Sequence, residues 1–112
     1  MNQELEESVR SAFEAVDNTD LKAIVGMMAD DNEQVDELTQ RWSRSKVNVV
    51  AAMTPLFNIV NAIKSVLADF RVTVSNDISA VTCMLDQSYV LGGKLTTIVA
   101  PTTCVFRRHT GT

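Results

Sequence analysis

The chain has 112 residues, of which 46% are hydrophobic and 21% are charged. This length and composition predict one compact domain spanning residues 1–112, and they exclude both two ordinary domains and a disordered chain. Because the chain has neither an apolar run of about 18 residues nor a basic-then-apolar leader, we expect a cytoplasmic protein with no membrane partner. The formal net charge of −4 argues against nucleic acid as the main partner.

The charges divide unevenly along the chain. Residues 1–37 hold eleven acids and two bases, a net charge of −9, whereas residues 38–112 hold eight bases and three acids, a net charge of +5. We expect most of these charges to lie on solvated faces. Binding of RNA or phosphate would need a basic cluster with aromatic residues, and the sequence offers only a weak one: Arg41, Trp42, Arg44 and Lys46.

The first half of the chain predicts helices. Apolar residues recur at helical spacing over residues 4–16, where they form one stripe: Leu5, Val9, Ala12, Phe13 and Val16. The segment Asn18-Thr19-Asp20 supplies a stop and a new N-cap, and a second short helix follows it. A third helix begins near Ser43 or Ser45 and carries Pro55, so we expect a kink or a fresh start at Thr54.

The second half of the chain predicts strands. Alternate apolar residues define one face of a half-buried strand: Val66, Ala68, Phe70, Val72 and Val74. A second strand runs from Ile78 to Tyr89, and Gly92-Gly93 suits a tight hairpin into a third strand over residues 95–108. Pro101 marks a bulge or an unpaired edge in that third strand. The order predicts an α+β fold, with three N-terminal helices on one face of a strongly curved antiparallel sheet.

The last residues favour oligomerisation. The segment His109-Thr110-Gly111-Thr112 is typical of a turn into another strand, and no strand follows it. The preceding strand then has unpaired backbone groups at the edge of the sheet. We expect a second copy of the chain to cover this edge, and therefore a homo-oligomer.

The two cysteines are expected to be reduced. With Gly92-Gly93 as a two-residue turn, Cys83 lies opposite Thr102 and Cys104 lies opposite Val81, so the thiols sit diagonally beyond ordinary disulfide reach. One histidine and two such cysteines form no set with zinc-ligand spacing, and there is no glycine-rich phosphate loop. We therefore expect neither a metal nor a cofactor.

Carboxylates beside an apolar pocket are the remaining candidates for chemistry. Asp36 lies in a possible short strand, residues 34–38, and a cavity-facing Asp36 would be a desolvated base suited to proton abstraction. The alternative is a solvated surface acid. Asp86 is the second candidate; it could equally accept from a neighbouring strand or pair with Arg107 or Arg108. Trp42 could line a cavity or fill the core.

Several segments resemble one family. The segments 17–21, 24–31, 82–89 and 101–108, together with Asp36 and the Gly-Gly hairpin, are similar in order to the ketosteroid-isomerase-like, SnoaL-like (nuclear-transport-factor-2-like) superfamily. The resemblance implies a cone of bent sheet around three helices, with an apolar pocket and frequent dimerisation. It places Asp36 where the steroid isomerases carry their general base.

The sequence also departs from that family. The resemblance implies a tyrosine and a protonated aspartic acid as oxyanion donors, but the matching positions here are Ala12 or Phe13 and Thr103 or Cys104, so steroid isomerisation is not expected. The usual final strand is missing after Arg108. These departures put inherited catalysis in doubt.

Two functional hypotheses follow. The first is a cone that binds a small apolar molecule and uses Asp36 as base in an isomerase, cyclase or hydratase reaction. Its candidate ligand-binding residues are Phe13, Trp42, Phe57, Met84, Asp86 and Tyr89. The alternative is a non-catalytic homo-oligomerising or adaptor module of the same fold.

Overall fold

The structure, a computed structural model, describes residues 2–36 and 40–108. Within them the elements follow in the order α1 (Asn2–Asp17), α2 (Leu21–Met27), β1 (Glu33–Asp36), β2 (Arg41–Arg44), α3 (Lys46–Ile59), β3 (Val60–Ser75), β4 (Ile78–Leu91) and β5 (Lys94–Arg107). Strands β1 and β2 form a small antiparallel hairpin, and β3, β4 and β5 form the main antiparallel sheet in that order. The predicted α+β class, with helices packed on an antiparallel sheet, is confirmed.

The helix starts follow their predicted caps. The Asp20 carboxylate accepts a hydrogen bond from the Ala23 backbone N–H at 3.1 Å and begins α2. Ser45 begins α3 in the same way, its hydroxyl accepting from the backbone N–H of Asn48 at 3.4 Å. Side-chain oxygens at these positions satisfy N–H groups that the helix itself leaves unpaired.

Helix α3 does not start afresh at Thr54. It runs without a break from Lys46 to Ile59 with Pro55 inside it. The proline removes the hydrogen bond to the carbonyl four residues earlier, that of Ala51, and both residues lie on the exposed side of the helix. Water can therefore bond to that carbonyl, which is why the helix continues.

No helix among the described residues combines the length and the apolar composition of a membrane span. The longest of them, α1, has 16 residues and carries charged groups along one side.

The β4–β5 hairpin has the predicted register. Cys83 lies opposite Thr102 and Cys104 opposite Val81, and the pairing is unbroken from end to end. Gly92 and Gly93 take φ values of +60° and +76°, as a tight turn of this length requires. Pro101 causes no bulge. It lies on β5, which among the described strands pairs only with β4.

The predicted alternation of β3 is wrong in its first half. The register shifts between Asn61 and Lys64 and again between Ala68 and Arg71, and Ala62 and Asp69 take positive φ values of 54° and 61°. A bulge inserts one residue and moves all later side chains to the opposite face. Val66 and Ala68 therefore point away from the helices.

Two apolar cores lie on either side of α1. The first joins the three helices and contains Ala15, Ile24, Val49 and Met53, with Phe57 packed against them. The second joins α1 to the sheet and contains Val9, Val81 and Cys83; the residues packed against it include Phe13, Leu67, Phe70 and Val72. Helix α1 thus contributes residues to both cores.

The bulge at Ala62 predicts opposite effects for one substitution at two sites in β3. A left-handed backbone costs a non-glycine residue roughly 1–2 kcal/mol, so Ala62→Gly is expected to leave the free energy of unfolding unchanged or raise it by about 1 kcal/mol. Ala68→Gly, at an ordinary strand position, is the control and is expected to lower that free energy by roughly 0.5–1 kcal/mol. Urea unfolding measures the free energy of unfolding of both variants. Equal losses would contradict a left-handed backbone at Ala62.

Candidate functional site

The main sheet has an inner face, which packs against the helices, and an outer face, which does not. On β4 the odd-numbered residues lie on the inner face, and Val81, Cys83, Leu85 and Tyr89 are buried there. Thr82 and Asp86, between them, are exposed. Side chains alternate along a strand, so the unbroken β4–β5 register carries the same division into β5.

A strip of the inner face lies beyond the helices. Helix α1 packs on β3 and β4, whereas β5 contacts chiefly β4. The inner residues of β5 are only half-buried as a result. We define the β4–β5 strip as the three cross-strand pairs Leu85–Ala100, Gln87–Ile98 and Tyr89–Thr96.

A polar network lies beside this strip. The Ser65 hydroxyl donates to one carboxylate oxygen of Asp17 at 2.6 Å, and the Ser65 backbone N–H donates to the other at 3.0 Å. The Gln87 side-chain amide donates to the Ser65 hydroxyl at 3.0 Å. These part-buried bonds join the end of α1 to β3 and β4. Among the described residues, the Gln87 amide donates this one hydrogen bond.

The network was not predicted from the sequence. The one feature of the sequence that points to it is Asp17, which follows Phe13 by four residues and so places a carboxylate on the apolar stripe of α1. The inner position of Ser65 depends on the two bulges of β3, so it could not be read from the alternation alone.

Three of the six candidate ligand-binding residues lie on the inner side of the sheet. Tyr89 is buried within the β4–β5 strip. Phe13 packs in the core between α1 and the sheet, and Phe57 packs in the core of the three helices. Both phenylalanines are therefore core residues and not members of the strip.

The structure does not bring the other three to the same place. Met84 and Asp86 lie on the outer face, because even-numbered residues of β4 point away from Tyr89. Trp42 lies on β2, opposite Val35, with 60% of its surface exposed. The Arg44 guanidinium stacks on its ring at 5.1 Å from the centroid.

Asp36 is the last residue of β1, and its backbone pairs with Arg41 on β2. The hairpin that carries it packs against α3. The Asp36 side chain lies outside the described part of the chain, as do residues 37 and 38 of the predicted strand 34–38 and His109 near the terminus.

Arg107, a predicted partner of Asp86, and Arg44, a member of the basic cluster, both form ion pairs with other acidic residues. Arg107 donates two hydrogen bonds, each 3.0 Å, to the Asp31 carboxylate, and they lower the pKa of Asp31. Arg107 is therefore bound to Asp31 rather than to Asp86. Arg44 forms an ion pair with Glu33 at 2.5 Å, which removes one free cation from the basic cluster around Trp42.

The cysteines are free thiols on the inner face. Burial raises the pKa of Cys83 and of Cys104, and the nearby Cys83 raises that of Cys104 further. A raised pKa means little thiolate at neutral pH, so neither thiol is set up as a nucleophile. Within residues 2–36 and 40–108, no three His, Cys, Asp or Glu side chains form a group that could hold a metal ion.

The comparisons with known proteins agree with this architecture. The chain belongs to the SnoaL-like domain family, whose model matches residues 5–112. This confirms the resemblance drawn from the sequence. No curated protein matches the chain.

Solved structures share the fold at low sequence identity. A proposed aromatic ring hydroxylase from Novosphingobium aromaticivorans has a TM-score of 0.89 and 16% identity, over 97% of this chain and 79% of that one. A proposed dehydratase of the NTF2-like family from Streptomyces avermitilis has a TM-score of 0.83 and 19% identity, over 97% and 88%. A ketosteroid isomerase-like protein from Erwinia carotovora atroseptica has a TM-score of 0.79 and 15% identity, over 94% and 82%.

The polar network predicts a stability effect at Ser65. Ser65→Ala removes the hydroxyl that bridges Asp17 and Gln87, so we expect the free energy of unfolding to fall by about 1–3 kcal/mol. Ser75→Ala, at the exposed end of the same strand, is the matched control and is expected to have little effect. Urea unfolding measures the free energy of unfolding of both variants. Equal small losses would mean that the network does not stabilise the fold.

The thiols predict a loss of stability in alkali. Because burial raises both pKa values above the ordinary 9.0, the folded protein holds these protons more tightly than the unfolded chain does. This contribution is complete below pH 9.0 and is lost as the pH rises through the folded-state values. Under reducing conditions, urea unfolding should show a steeper alkaline decline for the parent chain than for the double variant Cys83→Ala, Cys104→Ala. Parallel declines would contradict the prediction.

Proposed function

We propose that this protein binds a small, largely apolar molecule against the β4–β5 strip and that Asp36 removes a proton from it as general base. The observation that carries the proposal is the strip itself, a half-covered apolar surface with polar groups at one side. Small-molecule sites combine those two features. Proton abstraction of this kind serves isomerisation, cyclisation or hydration.

The groups along the strip suit a carbonyl compound. Removal of a proton next to a carbonyl leaves negative charge on its oxygen, and a hydrogen-bond donor placed there lowers the barrier. The Gln87 amide and the Tyr89 hydroxyl are the donors that β4 offers on its inner face. The Gln87 amide is held in place through Ser65, so its donor is oriented before a ligand arrives.

The other candidate residues have different places in this proposal. Phe13 and Phe57 belong to the two cores and do not contact the ligand in this proposal. Trp42 lies on the hairpin that carries Asp36, and in this proposal it contacts the ligand only if that hairpin closes over the strip. Met84 and Asp86 have no part in it, because they lie on the outer face. Among the solved neighbours, names that include a dehydratase and a ketosteroid isomerase-like protein agree with proton-transfer chemistry.

A carbon acid of the proposed class tests Asp36 without knowledge of the natural substrate. We expect the protein to speed deuterium exchange at the α-carbon of 2-tetralone, an aromatic-fused cyclic ketone, in D₂O followed by NMR. Asp36→Asn should lose most of this acceleration, on the order of 100-fold or more, because the amide cannot accept the proton. Asp77→Asn, in the β3–β4 turn, is the control and should keep it.

Binding is measured in the same samples, so the two parts of the proposal can fail separately. Methyl signals of Ile98 and Ala100 should shift on addition of the ketone, while that of Val47 on α3 should not. Unchanged exchange in Asp36→Asn would remove Asp36 from the mechanism. Unshifted strip methyls would overturn the binding site.

A second candidate function is a non-catalytic homo-oligomerising or adaptor module. One observation favours it: among the described strands, β5 pairs only with β4, so its other edge can receive a strand. We infer a homo-oligomer on this ground.

A further inference from the structure

The outward side of α3 carries no charged side chain. At about 100° per residue, the exposed residues of this helix fall within one arc of about 160°. We call this arc the α3 outer face, and its residues are Val47, Asn48, Ala51, Ala52, Thr54, Pro55, Asn58 and Ile59. Val47 is 77% exposed and Ile59 is 57% exposed. The solvent side of a helix normally carries charged and polar residues, so this face is unusual.

The opposite side of the same helix lies in the core. Val49 and Met53 are buried there together with Ile24 and Ala15. A helix that is apolar on all sides is normally enclosed on all sides. Helix α3 is enclosed on one side only, so its outer face is available to a partner.

Basic residues border the α3 outer face. Residues 38–68 contain four bases and no acid, although the whole chain has a net charge of −4. Three of these bases lie on β2 or at the first residue of α3: Arg41, Arg44 and Lys46. The side-chain amide of Asn48, a member of the face, donates to the Arg44 backbone carbonyl at 2.7 Å, so the end of β2 adjoins the face. Part of the positive charge is offset, because Arg44 forms an ion pair with Glu33.

An exposed aromatic residue lies among these bases. Trp42 on β2 is 60% exposed, and the Arg44 guanidinium stacks on its ring. Val35, opposite Trp42 on β1, is 55% exposed. Tryptophan beside arginine and lysine is typical of protein surfaces that lie at the boundary between water and lipid headgroups.

We propose that the α3 outer face and the adjoining strand β2 bind the surface of a membrane that contains anionic lipids. The apolar residues of α3 then lie at the boundary of the acyl chains, and the bases contact lipid phosphates. This goes beyond the proposed function and does not rest on it, because no residue of the β4–β5 strip takes part. The expectation of no membrane partner rested on the length that a span requires, whereas binding at the surface requires no span.

The composition of the face favours lipid over nucleic acid, the other common anionic partner. Nucleic acid presents phosphates and base edges, to which valine, alanine and isoleucine side chains offer no hydrogen bond. An anionic membrane presents phosphates above an apolar layer, so it matches both the bases and the uncharged helix face. The two features act together, since stable attachment to a membrane generally takes two signals.

The single tryptophan of the chain is a direct probe of this binding. Because Trp42 is mostly exposed, we expect its fluorescence emission to shift to shorter wavelength on addition of phosphatidylcholine vesicles that contain about 30% phosphatidylglycerol. Vesicles of phosphatidylcholine alone should give little shift. Salt at about 0.5 M should reverse the shift, because it screens the bases from the lipid phosphates. Sedimentation with the vesicles measures the fraction of protein bound.

A matched pair of double variants tests the bases. Arg41→Gln with Lys46→Gln removes two bases beside α3 and should weaken binding roughly 25-fold, since each base near an anionic surface contributes about fivefold. Arg71→Gln with Lys94→Gln removes two exposed bases of the main sheet and should bind as the parent chain does.

A second matched pair tests the apolar face. Ala51→Glu places a charge near the middle of the α3 outer face, in a residue type that keeps the helix, and should weaken binding on the order of tenfold or more. Ser11→Glu adds the same charge at an exposed position of α1 and should bind as the parent chain does. Circular dichroism and thermal unfolding confirm that the variants are folded.

The opposite results overturn the proposal. An emission maximum that does not move with anionic vesicles removes the membrane as partner. Equal shifts with both kinds of vesicle remove the role of the bases, and with it the choice of an anionic surface. Unweakened binding of Ala51→Glu places the contact outside the α3 outer face. If Ala51→Glu instead abolishes association between copies of the chain without vesicles, the face belongs to a second copy.

Discussion

The packing of α1 across β3 and β4 is the interaction on which the rest of the molecule depends. Val9 is buried against Val81 and Cys83, while Ala15, two turns later, belongs to the core of the three helices. One helix therefore supports the sheet on one side and holds α2 and α3 on the other. At its end, Asp17 bonds to Ser65 and fixes how far along the sheet the helix lies. The β4–β5 strip remains partly uncovered because α1 stops short of β5.

Much of the fold could be predicted from the sequence because its signals are local. Asp20 and Ser45 cap their helices through residues three positions away, and Gly92-Gly93 sets the hairpin register by itself. The phase of β3 could not be predicted. It depends on positive φ values at Ala62 and Asp69. Aspartate tolerates a left-handed backbone better than most residues, but it does not require one, and alanine gives no such signal. Bulges of this kind are selected by the sheet that surrounds them.

The candidate site was less predictable, since its contacts join distant parts of the chain. Asp17 and Ser65 are 48 positions apart, and only the folded sheet places Gln87 next to them. The possible short strand 34–38 distinguishes Asp36 from the other acids of the first half, and the resemblance to the SnoaL-like family supports that choice. The inner and outer faces of β4 could be told apart by alternation, but which of them received the helices could not. Met84 and Asp86 were grouped with Tyr89 for that reason.

The order of the elements along the chain has a consequence for synthesis. Helix α1 leaves the ribosome before β3 and β4, and the residues that bury its apolar stripe lie on those two later strands. Until β3 and β4 emerge, that stripe remains uncovered while the acidic half of the chain is already outside. Helix α1 is thus enclosed only after strands that are made later, and nascent α1 is a segment that a chaperone would have to shield.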